Sequence, residues 1–164
     1  MMAGRLKILI ENIGDLGETF EVDPKRFAAE AAKHPAVADL VEPVFSQDGD
    51  KFKDHIATAD ALVGWQLPFR DLPRLAPKLR WLHLTGAGIN HLLPLDWKPD
   101  RLTITNNRGV HAPKVAEFAT MAILMLHARM PALVSHQKAR RWEPEFTPLI
   151  AGKTVLIVGV GHMG

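Results

Sequence analysis

The sequence predicts an α/β protein organised on a parallel sheet. Short apolar runs alternate with helix-forming stretches from the N-terminus to Gly109, and turn or cap residues separate them. The runs are too apolar to leave one face in water, which favours a parallel sheet covered by helices on both faces.

Each element has its own local signal. Leu6-Lys7-Ile8-Leu9-Ile10 reads as the first strand. Pro24 to Lys33 reads as a helix, with Asp23 as N-cap and Pro24 at the first helical position, where its missing N–H costs nothing. Val37 to Phe45 contains a second, weaker strand, and Phe52 to Thr58 a short helix. Ala59 to Trp65 is a buried strand, Leu72 to Ala76 a helical turn, Leu79 to Leu84 a fourth strand and Leu102 to Thr105 a fifth. That rhythm makes one domain, ending near Gly109.

The next stretch differs in kind. From His111 to Arg129 no turn signal follows Pro113, and apolar residues fall on nearly every helical face: Val115, Phe118, Met121, Ile123, Leu124 and Leu126 among them. A helix apolar all round needs cover on all sides, so this one is expected between domains, between subunits, or both. Pro131 is expected to break it, with a more polar helix from Ala132 to Arg141. Glu143-Pro144-Glu145 and Pro148 then read as a linker to a last strand over Lys153 to Val158.

Composition removes several function classes. The 164 residues are 47% hydrophobic with a formal charge of +2, which is ordinary globular material and gives no electrostatic footprint for nucleic acid. The one basic cluster, Lys138-Ala139-Arg140-Arg141, is short and reads as a solvated helix end. With no cysteine a disulfide scaffold is excluded, and with no secretory signal at Met1 to Arg5 a cytoplasmic location is expected. The longest uncharged apolar run, Phe118 to Leu126, is well short of the ~20 residues of a membrane span, so no membrane partner is expected. No metal site is expected.

Two glycine clusters carry the chemistry. Gly159, Gly161 and Gly164 follow the apolar Val155 to Val158 with the G-x-G-x-x-G spacing of a dinucleotide-binding turn. There the first glycine permits a tight turn, the second lets backbone approach a pyrophosphate and the third lets helix pack on strand, while His162 and Met163 offer backbone N–H groups. A plain strand-to-turn passage of any α/β protein is the alternative. The second cluster, Thr85-Gly86-Ala87-Gly88-Ile89-Asn90, follows the fourth strand. Ligands collect at the carboxyl ends of parallel strands, and successive free amides there make a nest for a small anion such as a carboxylate. Trp65 and Gln66 leave another strand at the same edge. Gly86 and Gly88 making only a turn is the alternative.

Four separated motifs, in order along the whole chain, carry a resemblance. Pro77-Lys78-Leu79-Arg80-Trp81-Leu82-His83-Leu84-Thr85-Gly86-Ala87-Gly88-Ile89-Asn90, then Thr105-Asn106-Asn107-Arg108-Gly109-Val110, then Val115-Ala116-Glu117 opening the apolar helix, then Leu149 to Gly164, resemble the NAD(P)-dependent D-2-hydroxyacid dehydrogenases. The resemblance implies a flavodoxin-like substrate domain over residues 1–108. Over 109–164 it implies interdomain and dimerisation helices and the first strand of a Rossmann cofactor domain. It implies NAD or NADP as cofactor, an active site between the domains, and a homodimer through residues 111–141. By it, the backbone of Ala87 and Gly88 contacts a substrate carboxylate, Trp65 lines the cleft, and Val115 and the stretch from Gly161 to Met163 contact the cofactor.

The family's catalytic arginine, its acidic partner and its proton-moving histidine follow the glycine turn, so no catalytic residue is assigned in this chain. Its histidines, His83, His91, His111, His127 and His136 included, sit in strands and helices where structural or exposed roles are expected. A chain ending on an uncovered central strand is expected to be the N-terminal part of a polypeptide roughly twice as long, and to be inactive alone. The implied activity is hydride transfer between a nicotinamide and a small 2-oxo or 2-hydroxy acid. A non-catalytic nucleotide-sensing or corepressor-type protein on the same fold, or a free-standing flavodoxin-like binding module, stand as alternatives.

Overall fold

The apolar runs of the N-terminal part become five parallel strands because each finds a neighbour on which to complete its ladder. The structure, a computed structural model, describes residues 4–159, 161 and 162, with the side chain of Thr19 outside the description. The chain divides into two compact units, Met1–Asn107 and Arg108–Gly164.

In the first unit, β1 (Leu6–Asn12) leads through α1 (Pro24–Ala31) and α2 (Pro35–Ala38) to β2 (Val41–Gln47). From there α3 (Phe52–His55), β3 (Ala61–Gly64), α4 (Leu72–Leu75), β4 (Trp81–Leu84) and β5 (Thr103–Asn106) follow. The sheet order is β2-β1-β3-β4-β5, the flavodoxin-like doubly wound order, in agreement with the predicted α/β class. Register puts Leu9 between Val44 and Leu62, and Leu82 between Leu62 and Ile104. Leu9, Leu62, Leu82 and Leu84 are sealed in the core with Leu72, Leu79, Leu92 and Leu102. Each such side chain contributes about 1.5–3 kcal/mol of burial, so these strands need no propensity beyond their packing.

Local chemistry sets the boundaries. Asp23 caps α1 as expected, its carboxylate accepting from Arg26 N at 2.7 Å. The buried Asn12 side chain bonds both backbone groups of Val22 and so ties the loop after β1 to the strand's end. The second strand starts later than its pattern indicates: Pro35 opens the helical turn α2, and β2 begins only at Val41.

In the second unit, α5 (Ala112–His127) and α6 (Met130–Lys138) meet at 64° across Arg129, which lies at φ 54°. Pro131 sits inside the first turn of α6 rather than breaking the chain before it, since the first turn has N–H groups to spare. No single helix among the described residues is long and apolar enough to cross a membrane. None of α5 is buried: Phe118 is 63% and Leu126 68% exposed. The expected strand over Lys153 to Val158 is a correction. The segment has no ladder partner among the described residues, and Leu156 and Val158 stand exposed, so an apolar run alone does not make a strand.

Candidate functional site

The loop Thr85–Gly88 leaves β4 between the ends of β3 and β5, and β5 decides what the loop can do. Three of its four carbonyls are taken from one side. Thr85 O accepts from Asn107 Nδ2 at 2.8 Å, Gly86 O from Asn107 N at 3.1 Å, and Ala87 O from Asn106 Nδ2 at 2.7 Å. In a planar trans peptide, the C=O of one residue and the N–H of the next point in opposite directions. Fixing those carbonyls therefore turns the N–H groups of Gly86, Ala87 and Gly88 away from β5. None of the three has a hydrogen-bond partner among the described residues. Three aligned, unused donors make a site for a small anion.

Asn107 is itself held by a chain of bonds whose direction can be assigned. Trp81 Nε1 can only donate, and it reaches Thr105 Oγ1 at 2.8 Å. The Thr105 hydroxyl is then free to donate to His83 Nδ1 at 2.9 Å, which places the His83 proton on Nε2, 3.1 Å from Asn107 Oδ1. The Asn107 amide nitrogen is left to donate to Thr85 O. His83, a neighbour of Thr105 in the β4–β5 register, thus orients the loop through Asn107 and has no ring nitrogen left for proton transfer.

Trp65 forms the opposite wall. A Cβ at Gly86 would lie 2.3 Å from the Trp65 ring, so the loop needs glycine there because the indole is packed against its backbone. The ring of His91 lies 4.6 Å from that of Trp65 and 5.2 Å from that of Phe69, which in turn meets Trp97 at 6.1 Å. At Gly88 nothing lies within 4 Å of a Cβ and the backbone needs no positive φ, so the space beside it is open. The structure thus brings together Trp65, Thr85, Gly86, Ala87 and Gly88. Sequence reasoning gave no role to Asn106 and Asn107 and only a structural or exposed one to His83, although two adjacent asparagines at the end of a strand are a signal for side chains that bond neighbouring backbone.

The predicted cofactor residues belong to the second unit. Val115 is half-buried in α5. Gly159 has φ 125°, a conformation open to glycine, and neither Gly159 nor Gly161 has any atom within 4 Å of a Cβ. The His162 ring lies 3.7 Å from a Cβ placed on Gly109. Met163 and Gly164 lie outside the described residues. The open glycine backbone fits close approach by a pyrophosphate, but no paired strand before it and no helix after it occur among the described residues.

No family model matches the chain. A glyoxylate/hydroxypyruvate reductase of Arabidopsis thaliana is 29% identical over 119 residues, which are 69% of this chain and 37% of that protein. A D-isomer specific 2-hydroxyacid dehydrogenase of Xanthobacter autotrophicus Py2, solved with NADPH and MES, superposes at a TM-score of 0.68 and 18% identity, covering 95% of this chain and 48% of that one. An NADPH-dependent glyoxylate/hydroxypyruvate reductase of Sinorhizobium meliloti, solved with NADP and sulfate, gives 0.62 and 22%, covering 96% and 46%. A D-isomer specific 2-hydroxyacid dehydrogenase family protein of Aeromonas salmonicida gives 0.62 and 23%, covering 98% and 48%. The resemblance carried by the motifs is found again on both counts: the chain is similar in sequence to a glyoxylate/hydroxypyruvate reductase and in fold to D-isomer specific 2-hydroxyacid dehydrogenases, over less than half the length of each.

Proposed function

We propose that this chain is the substrate-binding part of an NAD(P)-dependent oxidoreductase that interconverts a small 2-oxo acid and its 2-hydroxy acid. The observation that carries the reading is the set of three N–H groups at Gly86, Ala87 and Gly88, turned one way by Asn106 and Asn107. Their role is to hold the substrate carboxylate, with Trp65 closing the space beside it. Among the proteins of similar fold a 2-hydroxyacid dehydrogenase was solved with NADPH and a glyoxylate/hydroxypyruvate reductase with NADP, and their likeness supports a nicotinamide cofactor near Val115, Gly159, Gly161, His162, Met163 and Gly164. When bound, the nicotinamide supplies or accepts the hydride at the substrate's C2. This chain contributes anion binding and orientation, and no catalytic acid or base is assigned to it. Residues 1–108 act as the substrate domain and 109–164 as the entry to the cofactor domain. The exposed apolar face of α5 suits a homodimer.

The test is the Gly88→Val variant of the full-length protein, assayed with glyoxylate and hydroxypyruvate by nicotinamide absorbance. Obstructing one charge-assisted backbone bond raises KM by about tenfold or more, with melting temperature little changed because Gly88 has open space and an ordinary φ. An unaltered KM in a folded variant contradicts the assignment of the loop.

A further inference from the structure

The hydrogen bonds behind the Thr85–Gly88 loop include one titratable group, His83, and its effect on the loop depends on which peptides those bonds touch. The carbonyl of Thr85 and the N–H of Gly86 belong to one peptide unit, as do Gly86 O with Ala87 N–H and Ala87 O with Gly88 N–H. Each of those carbonyls accepts from Asn106 or Asn107. A peptide whose oxygen accepts a hydrogen bond is polarised, and its N–H becomes the stronger donor. The three unused amides are therefore the three that the asparagines strengthen. The Thr85–Gly86 peptide is also wired further, through the Asn107 side chain to His83.

His83 can gain a proton without breaking that wiring. In the neutral ring Nε2 carries the hydrogen and donates to Asn107 Oδ1 at 3.1 Å, while Nδ1 accepts from Thr105 Oγ1 at 2.9 Å. Protonation at Nδ1 leaves the Nε2–H in place and makes it a charge-assisted donor. Nδ1–H then donates to Thr105 Oγ1, a hydroxyl oxygen with two lone pairs, one of which already takes Trp81 Nε1–H at 2.8 Å. Thr105 is exposed, so its own hydrogen turns to water. The groups that meet the ring are uncharged: Trp81, its ring 5.9 Å away, Thr105 and Asn107, with Val63 beside His83 in the β3 register. Arg80, which precedes β4, is paired with Asp60 at 3.7 Å. The positive charge of an imidazolium is thus passed, through Asn107, to the peptide that carries the Gly86 N–H.

We propose that His83 is a positioning residue that makes oxo-acid binding proton-linked: its imidazolium strengthens the Gly86 N–H and attracts the carboxylate, so the anion binds more tightly when His83 is charged. This regulation rests on the carboxylate reading of the Thr85–Gly88 loop. Its sign is fixed by charge. A bound anion and a protonated His83 favour one another, and by reciprocity the anion drives proton uptake at His83. The proton stays on the ring, so the residue supplies charge and alignment and delivers no proton to the substrate.

The test is calorimetric titration of the full-length protein with oxamate, a stable analogue of a 2-oxo acid, between about pH 5 and 8, the range over which an imidazole changes charge. The comparison is with His83→Gln, whose amide nitrogen takes the place of Nε2 and still donates to Asn107 but carries no charge. At the acid end the wild-type protein binds oxamate about threefold more tightly than His83→Gln, the size of one charge acting through partly hydrated protein, and at the basic end the two bind alike. Groups that titrate elsewhere act on both proteins and cancel. A second reading needs no variant: at a fixed pH within the range, adding oxamate to the wild-type protein raises the protonated fraction of His83, followed by NMR of the ring. Parallel pH dependences for wild type and His83→Gln, or a His83 ring whose protonation is unmoved by bound oxamate, overturn the proposal and leave the carboxylate loop standing. A wild-type protein that binds no oxamate at millimolar concentration overturns both together.

Discussion

Leu62 and Leu126 are the same side chain in equally apolar stretches of sequence, yet the first is 0% exposed and the second 68%. Leu62 belongs to a unit whose five strands satisfy one another's backbone and enclose a shared core. Leu126 belongs to a unit whose two helices bury none of their own residues. Apolar content is common to both regions; what separates them is whether the partner that covers the apolar surface lies within the same unit. The N-terminal unit is a finished core, and the C-terminal one is a set of surfaces that require cover.

The strongest way to sharpen that contrast is to hollow out the finished core. Leu62→Ala removes a fully enclosed side chain between Leu9 and Leu82 and lowers stability by about 2–5 kcal/mol, measured by chemical denaturation. A loss under about 1 kcal/mol contradicts a closely packed centre at β3.

Charging the uncovered surface tests the other half. On the proposed homodimer through α5, Phe118→Asp shifts the full-length protein to monomer in sedimentation, because an unpaired carboxylate buried at such an interface costs several kcal/mol. A wild-type protein that sediments as a clean monomer, with Phe118 and Leu126 still in water, removes the homodimer from the account.

A smaller effect separates the two glycines of the loop. Gly86→Ala drives a methyl into the Trp65 ring and costs about 1–3 kcal/mol of stability, whereas Gly88→Ala meets open space and changes stability by less than about 0.5 kcal/mol. Equal melting temperatures for the two variants would show that Trp65 does not pack on the loop.

These contrasts also mark what the sequence carried. The start of α1 was legible because a cap is a local device: Asp23 and Pro24 announce it without knowledge of the fold. The glycine loop after β4 was legible for the same reason, as a nest-forming run at the end of an apolar strand. The lock behind it was not, since His83, Thr105 and Asn107 meet only through the β4–β5 register, which no local pattern specifies. Lys153 to Val158 shows the reverse failure. Its β-branched run has the composition of a strand, but strand formation depends on a neighbour, and none of the described residues provides one.

In the proposed function, Asn106 and Asn107 hold the amides of Gly86, Ala87 and Gly88 open for a carboxylate. Amide-resolved NMR titration of the full-length protein with oxamate, a carboxylate that cannot accept hydride, reads those groups directly. The account predicts that the Gly86, Ala87 and Gly88 amide resonances shift saturably and together, and that Asn107→Ala, which frees the Thr85 carbonyl and the His83 ring, weakens the binding by about tenfold. Oxamate binding that leaves these three amides unmoved, or that survives Asn107→Ala at full strength, would contradict it.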